Sequence, residues 1–221
     1  MAYQWDFAPV LRYAPLLVRG AEITLLYTVG SVALGLIIGL LIGLGRLTSS
    51  VLLNAPLIAL TETFRCTPLL VQIVWFYYAL PVLLHIQIPA DVAAMTVLSL
   101  YTGVFYAEIF RGGIVSIERG QWDAARALGL SRWQVMRLVI LPQAIRRMIP
   151  PFVNQSVTQL KNTSLVSVIA VPDLLYQGTS IAETTYRPLE LYTVVAVVYF
   201  ALLFPSTMAA QWYERRLARG R

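Results

Sequence analysis

Residues 23–45 run for 23 positions without a charge, bracketed by Glu22 and Arg46. A helix rises about 1.5 Å per residue, and about 20 apolar residues cross the hydrocarbon core of a bilayer. The run therefore predicts a membrane-spanning helix. It is too long for a cleaved signal peptide and lacks a short basic stretch directly before it, so it reads as an uncleaved anchor. Gly35, Gly39 and Gly43 repeat every fourth position along it. Small residues on one stripe let a second helix approach closely in lipid, which predicts a packing seam.

Composition extends this to the whole chain. Apolar residues make up 58% and charged residues 13%, where an ordinary soluble domain carries about 25% charge. That leaves too little polar surface for a cytosolic enzyme, a disordered regulator or a secreted disulfide module. Cys66 is the one cysteine and His85 the one histidine, so neither an internal disulfide nor a zinc set is available. The expected fold class is an all-α integral membrane protein forming a single domain over residues 1–221. Four more spans are expected at about 68–84, 92–110, 150–171 and 191–212, the first of these preceded by an amphipathic stretch over 51–67. The pairs Glu62/Arg65 and Glu108/Arg111 are three apart, the spacing of an intrahelical ion pair. Trp75, Phe76, Tyr77 and Tyr78 read as interfacial or packing aromatics.

Five spans place the termini on opposite sides, and the charges say which. Before the first span, Asp6, Arg12, Arg19 and Glu22 sum to zero; His85 and Asp91 leave their loop at −1; Asp173, Glu183, Arg187 and Glu190 leave theirs at −2. On the other side, residues 111–147 hold seven arginines against Glu118 and Asp123, and the tail holds Arg215, Arg216, Arg219 and Arg221 against Glu214. Basic loops stay in the cytoplasm, so the N-terminus is expected outside and the C-terminus inside. The net charge of +6 is then a topology signal, and nucleic acid falls away as a partner.

The cytoplasmic stretch at about 111–147 is too long for a connector. A short Ala-rich helix is expected over 120–128, ended by Gly129 in a left-handed conformation. Ser131 stands three residues before Gln134, a capping-box pattern for a new helix that ends near Pro142. The span that follows carries Asn154, Gln155, Thr158, Gln159, Lys161 and Asn162. Polar groups are costly at membrane depth unless paired or facing a cavity. Asn154, Thr158 and Lys161 share one helical stripe and Gln155, Gln159 and Asn162 the next, so one broad polar face is expected. Interhelical hydrogen bonding and a solute path both account for it.

Asp123-Ala124-Ala125, Gly129, Val139 and Leu141-Pro142 have the spacing of the EAA loop of ABC importer permeases, with Asp123 in place of Glu and Val139 in place of Ile. Ala107-Glu108, the run 111–114, Ile117, Gly120-Gln121, Arg65, the run 67–70 and the run 160–165 resemble the subfamily that imports polar amino acids, and the likeness covers almost the whole chain. The resemblance implies a type I ABC importer permease in a bacterial inner membrane. It implies a second permease subunit, identical or homologous, two ATPase subunits and a periplasmic amino-acid-binding protein as partners. It implies that Asp123, Ala124, Ala125 and Gly129 couple to the ATPase, and that Asn154, Gln155, Thr158 and Lys161 line the substrate pathway. Members built for cationic amino acids place a Glu beside the Asn; here Gln155 stands there, which favours glutamate, aspartate, glutamine or a neutral polar amino acid.

The residues agree with that division of labour. A phosphate-cradling loop needs G-x-x-x-x-G-K-[ST], and Lys161, the one lysine, is followed by Asn162 within an apolar span. The chain is therefore expected to be no enzyme and to hold no cofactor or metal, with ATP and Mg²⁺ on the partner ATPase. A self-sufficient secondary transporter is the alternative, although such proteins show internal repeats and intramembrane acids that are not visible here. A membrane-embedded enzyme would need convergent catalytic groups, which are also lacking.

Overall fold

A computed structural model describes residues 3–48 and 50–218. Among them every regular element is helical. The glycine stripe works as a seam: α1 (Ala8–Gly45) lies along α4 (Ala90–Val115). A Cβ on Gly39 would stand 2.6 Å from Tyr106 Cβ and 2.7 Å from the Gly103 carbonyl oxygen. The two backbones are thus in contact, and Val97, Leu98, Val104, Tyr106 and Ala107 of α4 are buried. Helix α1 starts well before residue 23. The charges of Arg12, Arg19 and Glu22 end the apolar run but not the helix, because Val10 and Leu17 pack with Leu174, Ile181 and Leu191 in a second core.

The amphipathic stretch is a separate helix, α2 (Val51–Cys66), bent by 109° from α3 (Leu69–Leu84). The bend at Thr67-Pro68 frees carbonyls at the end of α2. Gln72 Nε2 satisfies two of them, donating to Phe64 O at 2.8 Å and Thr67 O at 2.9 Å. Glu62 and Arg65 pair at 3.0 Å beside the bend.

Helix α5 (Arg119–Ala127) is followed by α6 (Arg132–Ile169), α7 (Leu174–Thr185) and α8 (Pro188–Ala218). Helix α6 does not end near Pro142, and no helix begins at Pro150-Pro151; one helical path passes through all three prolines. Proline lacks an N–H and its ring crowds the carbonyl four residues earlier. A π-helical turn over Val135–Ile140 precedes Pro142, and another over Trp75–Ala79 precedes Pro81. The wider turn makes room for the ring. Pro150-Pro151 lie inside the helix without breaking it, as prolines can in membrane helices. Past Asn162 the path tightens into a 3₁₀ turn and stops at Ala170, with φ +60°. Asp173 then caps α7, accepting from Tyr176 N at 2.9 Å.

Helices α1, α4 and α8 are each long and apolar enough to cross a membrane; α2 with α3, and α6 with α7, bring the number to five if each bent pair is one span. Of the basic tail, Arg219 and Arg221 lie outside the described residues.

Candidate coupling surface and translocation helix

Helix α5 packs on the start of α6 and is joined to it by a tight turn. Gly129 takes φ +76°, a conformation that strains residues bearing a Cβ. Gly129 N donates to Arg126 O at 2.9 Å and Leu130 N to Ala125 O at 3.3 Å, the paired bonds of a Schellman helix end. Ser131 and Gln134 then bond reciprocally, Ser131 N to Gln134 Oε1 at 2.8 Å and Gln134 N to Ser131 Oγ at 3.4 Å. A helix stop and a helix start follow each other directly, which fixes the angle between α5 and α6.

The candidate coupling residues face in two directions. Asp123 and Ala124 are exposed, and Asp123 lies 3.9 Å from Arg126. Ala125 is buried, packed with Ile117, Val135, Ile140, Ala144 and Met148. Its small side chain lets α5 approach α6; it is not on the outer surface of this chain. Two contacts that sequence spacing does not reveal complete the unit. Gln143 Nε2 donates to Gln121 Oε1 at 3.2 Å, and Arg147 donates to the Ser116 carbonyl at the end of α4. Both join residues distant in sequence, so no local pattern could have paired them. The first ties α5 to α6 and the second ties α6 to the end of α4; α6 is continuous as far as Ile169.

Further along α6 the expected polar face is split. Asn154, Thr158 and Lys161 are exposed, whereas Gln155 and Asn162 are half-buried and Gln159 is fully buried. Gln159 Nε2 donates to Ser31 Oγ of α1 at 3.0 Å and reaches Leu98 O of α4 at 3.5 Å. Ser156, not singled out by the sequence, shares a 2.6 Å hydrogen bond with the Tyr106 hydroxyl. One stripe thus binds the helix into the bundle, and the other leaves a carboxamide, a hydroxyl and an ammonium uncovered by this chain. Among the described residues no carboxylate pairs with Lys161 and no group of side chains could hold a metal ion. Glu108 pairs with Arg111 at 2.9 Å and also with Arg46, the residue that follows α1, which ties the ends of α1 and α4 together.

A family model described as the binding-protein-dependent transport system inner membrane component matches residues 31–219. The chain belongs to this family. The permease is 39% identical over 215 residues to the glutamine transport system permease protein GlnP of Escherichia coli strain K12, covering 97% of this chain and 98% of the relative. It is 33% identical over 223 residues to the glutamate/aspartate import permease protein GltK of Escherichia coli O6:H1, covering 98% and 100%. Its fold matches a chain from the crystal structure of an amino acid ABC transporter with histidines, with a TM-score of 0.91, 34% identity and coverage of 97% and 100%. The permease therefore has the type I ABC importer fold.

Proposed function

We propose that the permease carries a polar amino acid inward as one of two membrane subunits of an ATP-driven importer. The observation that carries this is the helix–turn–helix of α5 and α6. It presents Asp123 and Ala124 outward while Ala125 locks the same helix to a continuous path into the bundle. A helix so mounted transmits the movement of a partner docked on it. Separate ATPase subunits dock there, bind ATP and Mg²⁺, and hydrolyse the nucleotide. Five spans cross the inner membrane with the N-terminus outside, in keeping with the arginine-rich segment on the C-terminal side. A periplasmic binding protein delivers the cargo to the opposite face.

The uncovered stripe of Asn154, Thr158 and Lys161, with Gln155 beside it, lines the path. These are hydrogen-bonding groups with one cation and no carboxylate, which suits glutamine, glutamate, aspartate or a neutral polar amino acid. The names of GlnP and GltK support that class. The test is uptake of labelled amino acids into liposomes holding the permease and its ATPase, with binding protein added outside. ATP-dependent uptake of one member of this class is expected. Uptake by the chain alone, driven by an ion gradient without ATP, overturns the proposal in favour of a secondary transporter.

A further inference from the structure

The start of α6 has an outer face that this chain leaves exposed. Its inner face, with Val135, Ile140, Ala144 and Met148, is buried against its neighbours. Its outer face is not the polar surface of a loop in water. Trp133 is 70% exposed, Leu138 61%, Ile145 47% and Leu141 38%. Arg132, Arg137 and Arg146 are exposed among them, and none of the three is in an ion pair among the described residues. Neither carboxylate of this region pairs with them: Asp123 lies 3.9 Å from Arg126, and Glu118 precedes α5 without a side-chain cap hydrogen bond.

Apolar side chains interleaved with unpaired arginines, on a helix continuous with a membrane-crossing segment, match a headgroup boundary. Such a helix rests its apolar side among acyl chains and its cations among phosphates. We propose that residues 132–146 form an interfacial helix that binds anionic phospholipid of the cytoplasmic leaflet. Arg132, Arg137 and Arg146 contact the phosphates; Trp133, Leu138, Leu141 and Ile145 rest on the acyl chains. This rests on the orientation proposed above, with α5 in the cytoplasm. A lipid fits this face better than a protein groove because charge and apolar surface alternate along one helix at the depth where it enters the bilayer. Anchored there, α6 has a fixed height from which α5 is presented.

The test uses the permease–ATPase complex in nanodiscs of phosphatidylcholine and phosphatidylglycerol in equal parts, with one lipid at a time brominated on its acyl chains. The difference in emission between wild type and W133F reports Trp133. Brominated phosphatidylglycerol is expected to quench it more than brominated phosphatidylcholine. The R132Q/R137Q/R146Q variant is expected to abolish that preference, each arginine contributing about five-fold in affinity for the anionic lipid. Should that variant not fold, R137Q alone is expected to show its five-fold share. Equal quenching by the two lipids, or none by either, overturns the proposal. So does loss of the bound ATPase in R132Q/R137Q/R146Q when the wild type shows no lipid preference, which gives the face to a protein partner. Transport is not part of the readout, so failure of the importer reading shows separately, in the liposome uptake assay.

Discussion

The Gln159 carboxamide donates to the Ser31 hydroxyl across 3.0 Å, joining α6 to α1 inside the bundle. This bond assigns the two polar stripes of α6 to different tasks. Gln159 is bonded inside the bundle, while Asn154, Thr158 and Lys161 stay exposed on this chain, the stripe proposed to line the cargo path. Hydrogen bonds between membrane helices average about 0.6 kcal/mol, reaching about 1.7. Gln159→Leu is therefore expected to lower stability by roughly 1 kcal/mol, read as a lower melting temperature, with little change in the KM for uptake. Asn154→Ala and Thr158→Val are expected to do the reverse. A Gln159→Leu variant that melts normally but shows a raised KM overturns the assignment.

Ala124 and Ala125 are adjacent and face opposite ways, so they are expected to respond differently to bulk. Ala125→Leu forces extra carbons between α5 and α6, at a cost of about 1–3 kcal/mol from overpacking. Its melting temperature is expected to fall. Ala124→Leu has open space in this chain, so folding is expected to be intact while co-purification of the ATPase is lost. Asp123→Lys is expected to behave like Ala124→Leu. Gly129→Asp carries an added strain, because the φ of +76° has to be kept; coupled uptake is expected to be abolished with the membrane helices still assembled. Normal uptake by Asp123→Lys or Gly129→Asp would remove this surface from coupling.

Much of this was legible in the sequence because it is local. A charge-free run, a glycine every fourth residue, a Gly129 stop and a Ser131/Gln134 start each act within one or two turns. The structure adds what depends on distant partners. Glu22 ends an apolar run, but only the packing of Val10 and Leu17 on α7 and α8 explains why α1 begins at Ala8. Pro142 and Pro150-Pro151 read as helix boundaries because proline breaks isolated helices; here a π turn precedes Pro142 and the helix runs on through Pro150-Pro151. Helical spacing grouped six polar residues of α6 into one broad face. Only Ser31 and Leu98, more than 60 positions away, separate the half that is buried.

The seam between α1 and α4 makes a steric prediction. At Gly39 the nearest obstacles to a Cβ include the Gly103 carbonyl oxygen at 2.7 Å, which is backbone and cannot rotate aside. Gly39→Val is therefore expected to separate the helices and to cost about 1–3 kcal/mol or abolish insertion of a stable protein. A Cβ on Gly112 would meet nothing within 4 Å. Gly112→Ala is expected to leave stability unchanged or raise it by up to about 1 kcal/mol through helix propensity. Yields and melting temperatures of the two purified variants separate these outcomes; equal behaviour would mean that the seam is not the tight contact described.

At the far end of the bundle from α5, the segment before α1 is held by one buried carboxylate. Glu190 accepts from the Tyr3 hydroxyl at 2.5 Å and from Asp6 N at 2.9 Å, with Arg187 at 3.5 Å. Arg187 also donates to Gln4 O at 3.0 Å. Glu190 itself is fully buried, so each donor removed leaves charge less well satisfied. Tyr3→Phe removes one of these donors while Asp6 N and Arg187 remain, and is expected to lower the melting temperature. Glu190→Leu removes the carboxylate together with its need for donors. It is expected to release residues 3–7; the Arg187 cation it leaves is part-exposed and keeps the Gln4 carbonyl as acceptor. Hydrogen exchange at Asp6 N measures the release: faster exchange in both variants, with a lower melting temperature in Tyr3→Phe, is the expected pattern. Exchange at Asp6 unchanged in Glu190→Leu would mean that the stacked rings of Trp5 and Phe7, 5.7 Å apart, and not the carboxylate, hold the segment against the bundle.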